Sequence, residues 1–161
     1  MPAETYPRAV STPGRNDATS LSSRRGVAIL ILLCLVQFMD VLDASILNIA
    51  LPSIKRDLGF TQESLQWVVN GYIITYGGFL LLGGRVADLL GRRRVLVTGL
   101  VVFAGASLVG GLAHTESLLV GARFVQGMGA AILSPAALST LTTIFRSGRE
   151  RNTALGAWAA V

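Results

Sequence analysis

The sequence predicts an all-α membrane protein with four complete transmembrane helices and the start of a fifth. Three observations carry this. Of the 161 residues, 52% are hydrophobic and only 14% charged, whereas a water-soluble domain carries about 25% charged residues. The apolar residues gather in four long blocks: Gly26 to Ile54, Ser64 to Gly84, Val95 to Ala113 and Ser117 to Phe145. Most charges fall between the blocks, and the arginines collect in alternate gaps.

Each block is long enough to cross a hydrocarbon core of about 30 Å, which takes roughly 20 helical residues. Strands are disfavoured, because no block alternates with period two and a barrel needs many more segments. With no water in the bilayer core, each backbone must satisfy its own hydrogen bonds, which leaves helices.

In order, residues 1–25 are rich in Ser, Thr, Pro and charge and read as a disordered tail. They lack the apolar core and cleavage site of a secretory signal, so the first span is expected to be retained. A partial transmembrane domain then covers 26–161, with spans at about 26–49, 64–83, 94–113 and 117–141 and a fifth starting at 153–161. Pro52 is expected to mark the outer end of the first span. Trp67 suits the outer interface of the second. The third has no charge or amide and is placed at the lipid-facing periphery. Pro135 is expected to kink the fourth. Gly99, Gly105, Gly110, Gly111, Gly127 and Gly129 lie within spans, where small residues let helices approach closely. The sequence stops inside an apolar element at Trp158-Ala159-Ala160-Val161, so a truncated chain, unstable alone in a bilayer, is the expectation.

The net charge of +5 does not point to nucleic acid, because of where the basic residues lie. Arg24 and Arg25 precede the first span, and Arg85, Arg92, Arg93 and Arg94 separate the second from the third. Arg146, Arg149 and Arg151 follow the fourth. The other gaps hold Lys55 and Arg56 balanced by Asp57 and Glu63, then His114 and Glu116. This asymmetry is the positive-inside pattern and predicts a cytoplasmic N-terminus. Cys34 is alone, so there is no disulfide framework. Gly127-Met128-Gly129 fails as a dinucleotide fingerprint, since Ile132 occupies the third glycine position and no strand precedes it. No nucleophile–base pair or metal cluster is evident, and no enzyme is expected.

Three charges fall inside the apolar blocks: Asp40, Asp43 and Arg123. Such residues cost several kcal/mol unless they face a cavity or a partner. Asp40 and Asp43 are three apart and share a helix face. At about 1.5 Å per residue they lie roughly 20 to 24 Å from the Gly26 end, and Arg123 lies roughly 21 Å from the same side. The three can therefore meet. Burial favours a neutral carboxyl and a nearby arginine favours an ionised one, so such an acid can load and release a proton. A structural ion pair fixing helix register is the alternative.

Gln66, Asn70, Tyr72, Thr75 and Tyr76 form a polar side on the second span, which with Phe38 and Trp67 suits a cavity for a bulky organic solute. Interhelical hydrogen bonding explains that polar side equally well. The segment from Gly84 to Arg94 reads as a tight turn, with Gly84 and Gly91 permitting reversal and Asp88 capping a helix start.

Gly84, Asp88, Gly91, Arg92 and Arg93 resemble the signature loop of the major facilitator superfamily, with Val86 in place of the commoner Leu. The run Leu42 to Pro52 is similar to the first-span motif of its fourteen-span drug:proton antiporters, with Ser45 where Thr is usual and Asp40 as an extra acid. Arg123 to Gly129 resembles the fourth-span motif tied to proton coupling. The resemblance implies that the chain is the N-terminal part of a six-helix half of a two-half carrier that works by alternating access. It also implies a latch role for Gly84, Asp88, Gly91, Arg92 and Arg93 and proton coupling at Asp43 and Arg123. Asp40 is a further proton-coupling candidate, and Phe38, Asn48, Gln66, Asn70, Tyr72, Tyr76 and Gln126 are the candidates for lining a substrate cavity. The expected partners are the lipid bilayer of the plasma membrane, a small organic solute, protons and a C-terminal half. The proton gradient takes the place of a cofactor. Drug efflux is the leading expectation. A metabolite, siderophore or sugar facilitator and a truncated product without transport remain as alternatives.

Overall fold

The computed structural model describes residues 21, 23–145 and 148–161. The tail up to residue 20, residue 22 and Arg146 lie outside them. Five helices follow in order: α1 (Arg24–Leu58), α2 (Gln62–Leu90), α3 (Arg92–Gly111), α4 (Glu116–Ile144) and α5 (Gly148–Ala159). The first four are long and apolar enough to cross a membrane.

Local sequence explains most of the boundaries. Ser23, Thr61 and Thr115 each accept a backbone N–H of the first turn that follows, satisfying donors a helix start leaves open. The expectation that the first span closes at Pro52 does not describe the helix, which continues to Leu58. Pro52 only deprives the Asn48 carbonyl of its helical donor, a loss tolerated in long membrane helices. The stop is Gly59, at φ 71°, where the absent side chain allows a left-handed residue. At 35 residues the helix is about 52 Å long, so its ends, with Arg24 and Arg25 at one and Lys55 and Arg56 at the other, extend past an apolar core of about 30 Å.

The loop expected between Gly84 and Arg94 is also different. Helix α2 runs on through Gly84 and Asp88 to Leu90, and the reversal takes place at Gly91 alone. Asp88 therefore caps nothing, and α3 has no side-chain cap. One residue suffices because Gly91 adopts φ 92° and ψ 127°, a conformation essentially closed to residues with a Cβ. Gly91→Ala is expected to cost about 1–3 kcal/mol, read as a lower melting temperature of the detergent-solubilised protein.

Helix α4 is the hub. Helices α2 and α3 pack along it, while α1 makes fewer contacts and touches α2, α4 and α5. Half of α4's apolar stretch is buried and almost none of α1's. The reason is size: Ala122, Gly127, Gly129, Ala130, Ala131, Ala136 and Ala137 are all buried on α4, and small residues let helices approach where apolar lipid supplies no hydrophobic drive. At Gly129 a Cβ would stand 2.7 Å from the backbone nitrogen of Phe103 on α3. Gly105 and Gly111, by contrast, meet nothing within 4 Å and serve no close approach. Pro135 lies inside α4, which runs unbroken to Ile144. Its missing N–H frees the Ala131 carbonyl, and Gly83 of α2 packs directly against that atom.

Helix α3 lays one face, with Leu96, Gly99, Phe103 and Ala106, on its neighbours and leaves Val97, Val101 and Leu108 exposed, a peripheral position. Helix α5 is short, buries Ala154, and rests on α1 and α4.

Candidate functional site

Asp40, Asp43 and Arg123, the charges inside the apolar blocks, converge on one place, where α1, α2 and α4 meet. Arg123 of α4 is only 5% exposed. Its Nη1 donates to Asp43 Oδ2 of α1 at 2.6 Å and to Gln126 Oε1 at 2.7 Å. Gln126, 2% exposed, donates its Nε2 to Asp43 Oδ1 at 2.7 Å. Arg123 and Gln126 are three residues apart on a helix and so share a face, which lets both reach the same carboxylate. The Arg123 Nε donates to the Val68 carbonyl of α2 at 3.1 Å. One guanidinium thus ties three helices. Charge-assisted bonds of this length are about twice as strong as neutral ones, and the low-polarity surroundings make the loss of any one costly.

Tyr72 of α2 extends the cluster. Its ring lies 4.5 Å below the Arg123 guanidinium carbon, a cation–π contact. Its hydroxyl donates to Asp40 Oδ1, and its ring stacks on Tyr76 at 5.9 Å between centroids. Asp40 and Asp43 therefore meet the same arginine in different ways, one through a phenol and the other directly.

The remaining candidates lie apart. Gln66 and Asn70, with Leu51, Gln62, Leu65 and Val69, line an open groove of about 470 Å³ between α1 and α2. Tyr72 and Tyr76 are not among its lining residues, and neither is Phe38, which is exposed on α1. Trp67 leaves that side altogether and stacks on Phe124 at 6.4 Å. Asn48 turns back to the Ala44 carbonyl of its own helix at 2.9 Å, and Thr75 likewise bonds to Gly71 and Tyr72 carbonyls. Gln126, expected at the cavity, is instead enclosed in the ion-pair network. In the signature loop, Gly84 and Asp88 belong to α2, Gly91 is the turn, and Arg92 and Arg93 open α3. Arg92 donates to Thr143 of α4 and stands 4.0 Å from Asp88, while Arg93 is exposed.

Two partners gave no usable sequence signal. The Val68 carbonyl is backbone, and Thr143 is one of several threonines ending α4. The placement of Gln126 had a signal in its spacing from Arg123. A third link, from Ser64 to Glu116 at 3.3 Å, joins α2 to α4 at the N-terminal ends of both helices.

The family model described as Major Facilitator Superfamily matches residues 33–161. The chain is 47% identical over 148 residues to the cephamycin export protein CmcT of Amycolatopsis lactamdurans, covering 92% of this chain and 30% of that protein. It is 48% identical over 132 residues to the puromycin resistance protein pur8 of Streptomyces alboniger, covering 82% and 26%. To the methylenomycin A resistance protein of Bacillus subtilis it is 36% identical over 140 residues, covering 87% and 30%. The chain thus spans less than a third of the length of these curated relatives. Four apolar helices among the described residues make it a multi-pass membrane protein, and the matched family is one of transporters, not enzymes. On the match from residue 33 onward, the chain belongs to the major facilitator superfamily.

Proposed function

We propose that this chain supplies the first helices of a proton-coupled exporter of drugs or other small organic solutes, set in the plasma membrane with its N-terminus in the cytoplasm. The observation that supports it best is the buried Asp43–Arg123–Gln126 network, two of whose three bonds join α1 to α4. Ionisable residues at such depth are expensive and mark ion or substrate pathways. The export and resistance functions named for the relatives favour outward drug transport over metabolite uptake. The arginine-rich ends of α2 and α3 support a cytoplasmic placement of that side. In this reading Asp88, exposed and only loosely paired with Arg92, is the latch acid that engages a second half of the carrier. The open groove at Gln66 and Asn70 is the part of the substrate path that these helices contribute.

The test uses cells expressing the complete transporter. Asp43→Asn is expected to bring antibiotic resistance down to that of cells without the gene, with the protein still present in the membrane. Resistance at the wild-type level would contradict the assignment of the network to transport.

A further inference from the structure

The N-terminal ends of α2 and α4 frame a second cleft, apart from the buried network and from the groove at Gln66. Ser64 and Trp67 of α2 and Glu116, Ser117 and Val120 of α4 line it, around a volume of about 410 Å³. Glu116 is the single charge in that lining among the described residues, and its oxygens are used unequally. Oε1 accepts from Ser64 Oγ at 3.3 Å. Oε2 receives no hydrogen bond from a described residue, and Glu116 forms no ion pair with one. Cations do stand at this end of the bundle, yet Lys55 is turned to Gln62 at 2.7 Å and Arg56 to Ser53 at 3.4 Å.

The positive end of a helix favours an acid in its first turn, which explains a glutamate at the start of α4 but not the indole beside it. Trp67 is 45% exposed and is held by stacking on Phe124 at 6.4 Å. Gly71 leaves Phe124 its room, since a Cβ there would stand 2.9 Å from the phenyl ring. A tryptophan suits a membrane interface on its own. One that lines a cleft together with a half-used carboxylate adds a second attraction for the same kind of ligand. The carboxylate draws a cation by charge and the indole draws it by the ring quadrupole, while Val120 and the rest of the indole cover an apolar body. We propose that this cleft binds an organic ammonium ion carried on an apolar or aromatic body, with the charge at Glu116 Oε2 and the body against Trp67. Such binding goes beyond the transport reading above and requires neither proton coupling nor the Asp43 network. A free amine and the headgroup of phosphatidylethanolamine both carry this chemistry.

Fluorine NMR of the complete transporter, labelled with fluorotryptophan and set in nanodiscs of phosphatidylglycerol, reads the cleft locally. The resonance that disappears in Trp67→Phe is the reporter. It is expected to shift on titration with phenethylammonium and to stay in place with phenethyl alcohol, which keeps the body and lacks the charge. In Glu116→Gln the concentration at half-shift is expected to rise about tenfold, the worth of a hydrogen bond to a charged group. A resonance that ignores the ammonium, an equal shift with the alcohol, or an unchanged midpoint in Glu116→Gln would each overturn the site. The comparison of ammonium with alcohol uses the unaltered cleft, so it decides even where Glu116→Gln does not fold. Replacing part of the lipid with phosphatidylethanolamine separates the two sources of the ammonium. A Trp67 shift before any titrant, with a raised midpoint, assigns the headgroup, and an unchanged titration assigns a free amine.

Discussion

Arg123→Met is expected to abolish transport and to destabilise the complete protein by about 3–5 kcal/mol, the cost of leaving a buried partner charge unpaired. The substitution keeps an unbranched apolar stem but removes all four anchors of the guanidinium. Asp43 and Gln126 lose their shared donor, the Val68 carbonyl loses the Nε, and the Tyr72 ring loses its cation. Arg123→Lys is expected to recover part of the stability and little transport. A lysine supplies charge but no planar fork, so it cannot serve Asp43 and Val68 together in the same geometry. Thermal melting in detergent and drug resistance of expressing cells separate the two effects. A stable, fully active Arg123→Met protein would remove the network from both folding and function.

Gly129→Leu is the second large effect. A Cβ alone would stand 2.7 Å from the Phe103 nitrogen and 3.0 Å from its Cα. Both are backbone atoms, so no rotamer change relieves the clash, and α3 must move away from the hub. The expected cost is about 3 kcal/mol or more, seen as aggregation or loss of the monodisperse peak in size-exclusion chromatography. Gly105→Leu is the matched control. Nothing stands within 4 Å of a Cβ there, and the change is expected to stay within about 0.5 kcal/mol. Equal damage from both would mean that glycine content, not the α3–α4 contact, governs packing.

These residues also show what the sequence makes legible. Four spans could be read because apolar length is a one-dimensional property, and a bilayer imposes it on each helix separately. Helix ends were harder. Pro52 looks like a stop, but a long membrane helix absorbs one proline, and the real stop needed a left-handed glycine at position 59. Gly91 is hard to single out as the turn because Gly84, so close by, is equally able to turn and is simply not used. Depth arithmetic placed Asp43 and Arg123 at one level, since rise per residue is fixed. It could not give rotation about each helix axis, which tertiary packing decides. That is why Trp67 and Gln66, adjacent in sequence, serve different sides of α2, with Trp67 on Phe124 and Gln66 at the groove. It is also why Gln126 came to rest on Asp43 and not in an open cavity. Gly99 and Gly129 were readable as packing residues by composition, yet Gly105 looked the same and faces open space.

Proton-driven export through the buried network is open to direct measurement in proteoliposomes. The complete transporter is reconstituted, a pH gradient is imposed, and the movement of labelled antibiotics is followed, with puromycin and a cephamycin in the panel. Proton-driven export predicts accumulation of at least one compound against its own gradient, abolished by a protonophore and absent in Asp43→Asn. Accumulation that persists after the protonophore, or that Asp43→Asn sustains at the wild-type rate, would contradict it.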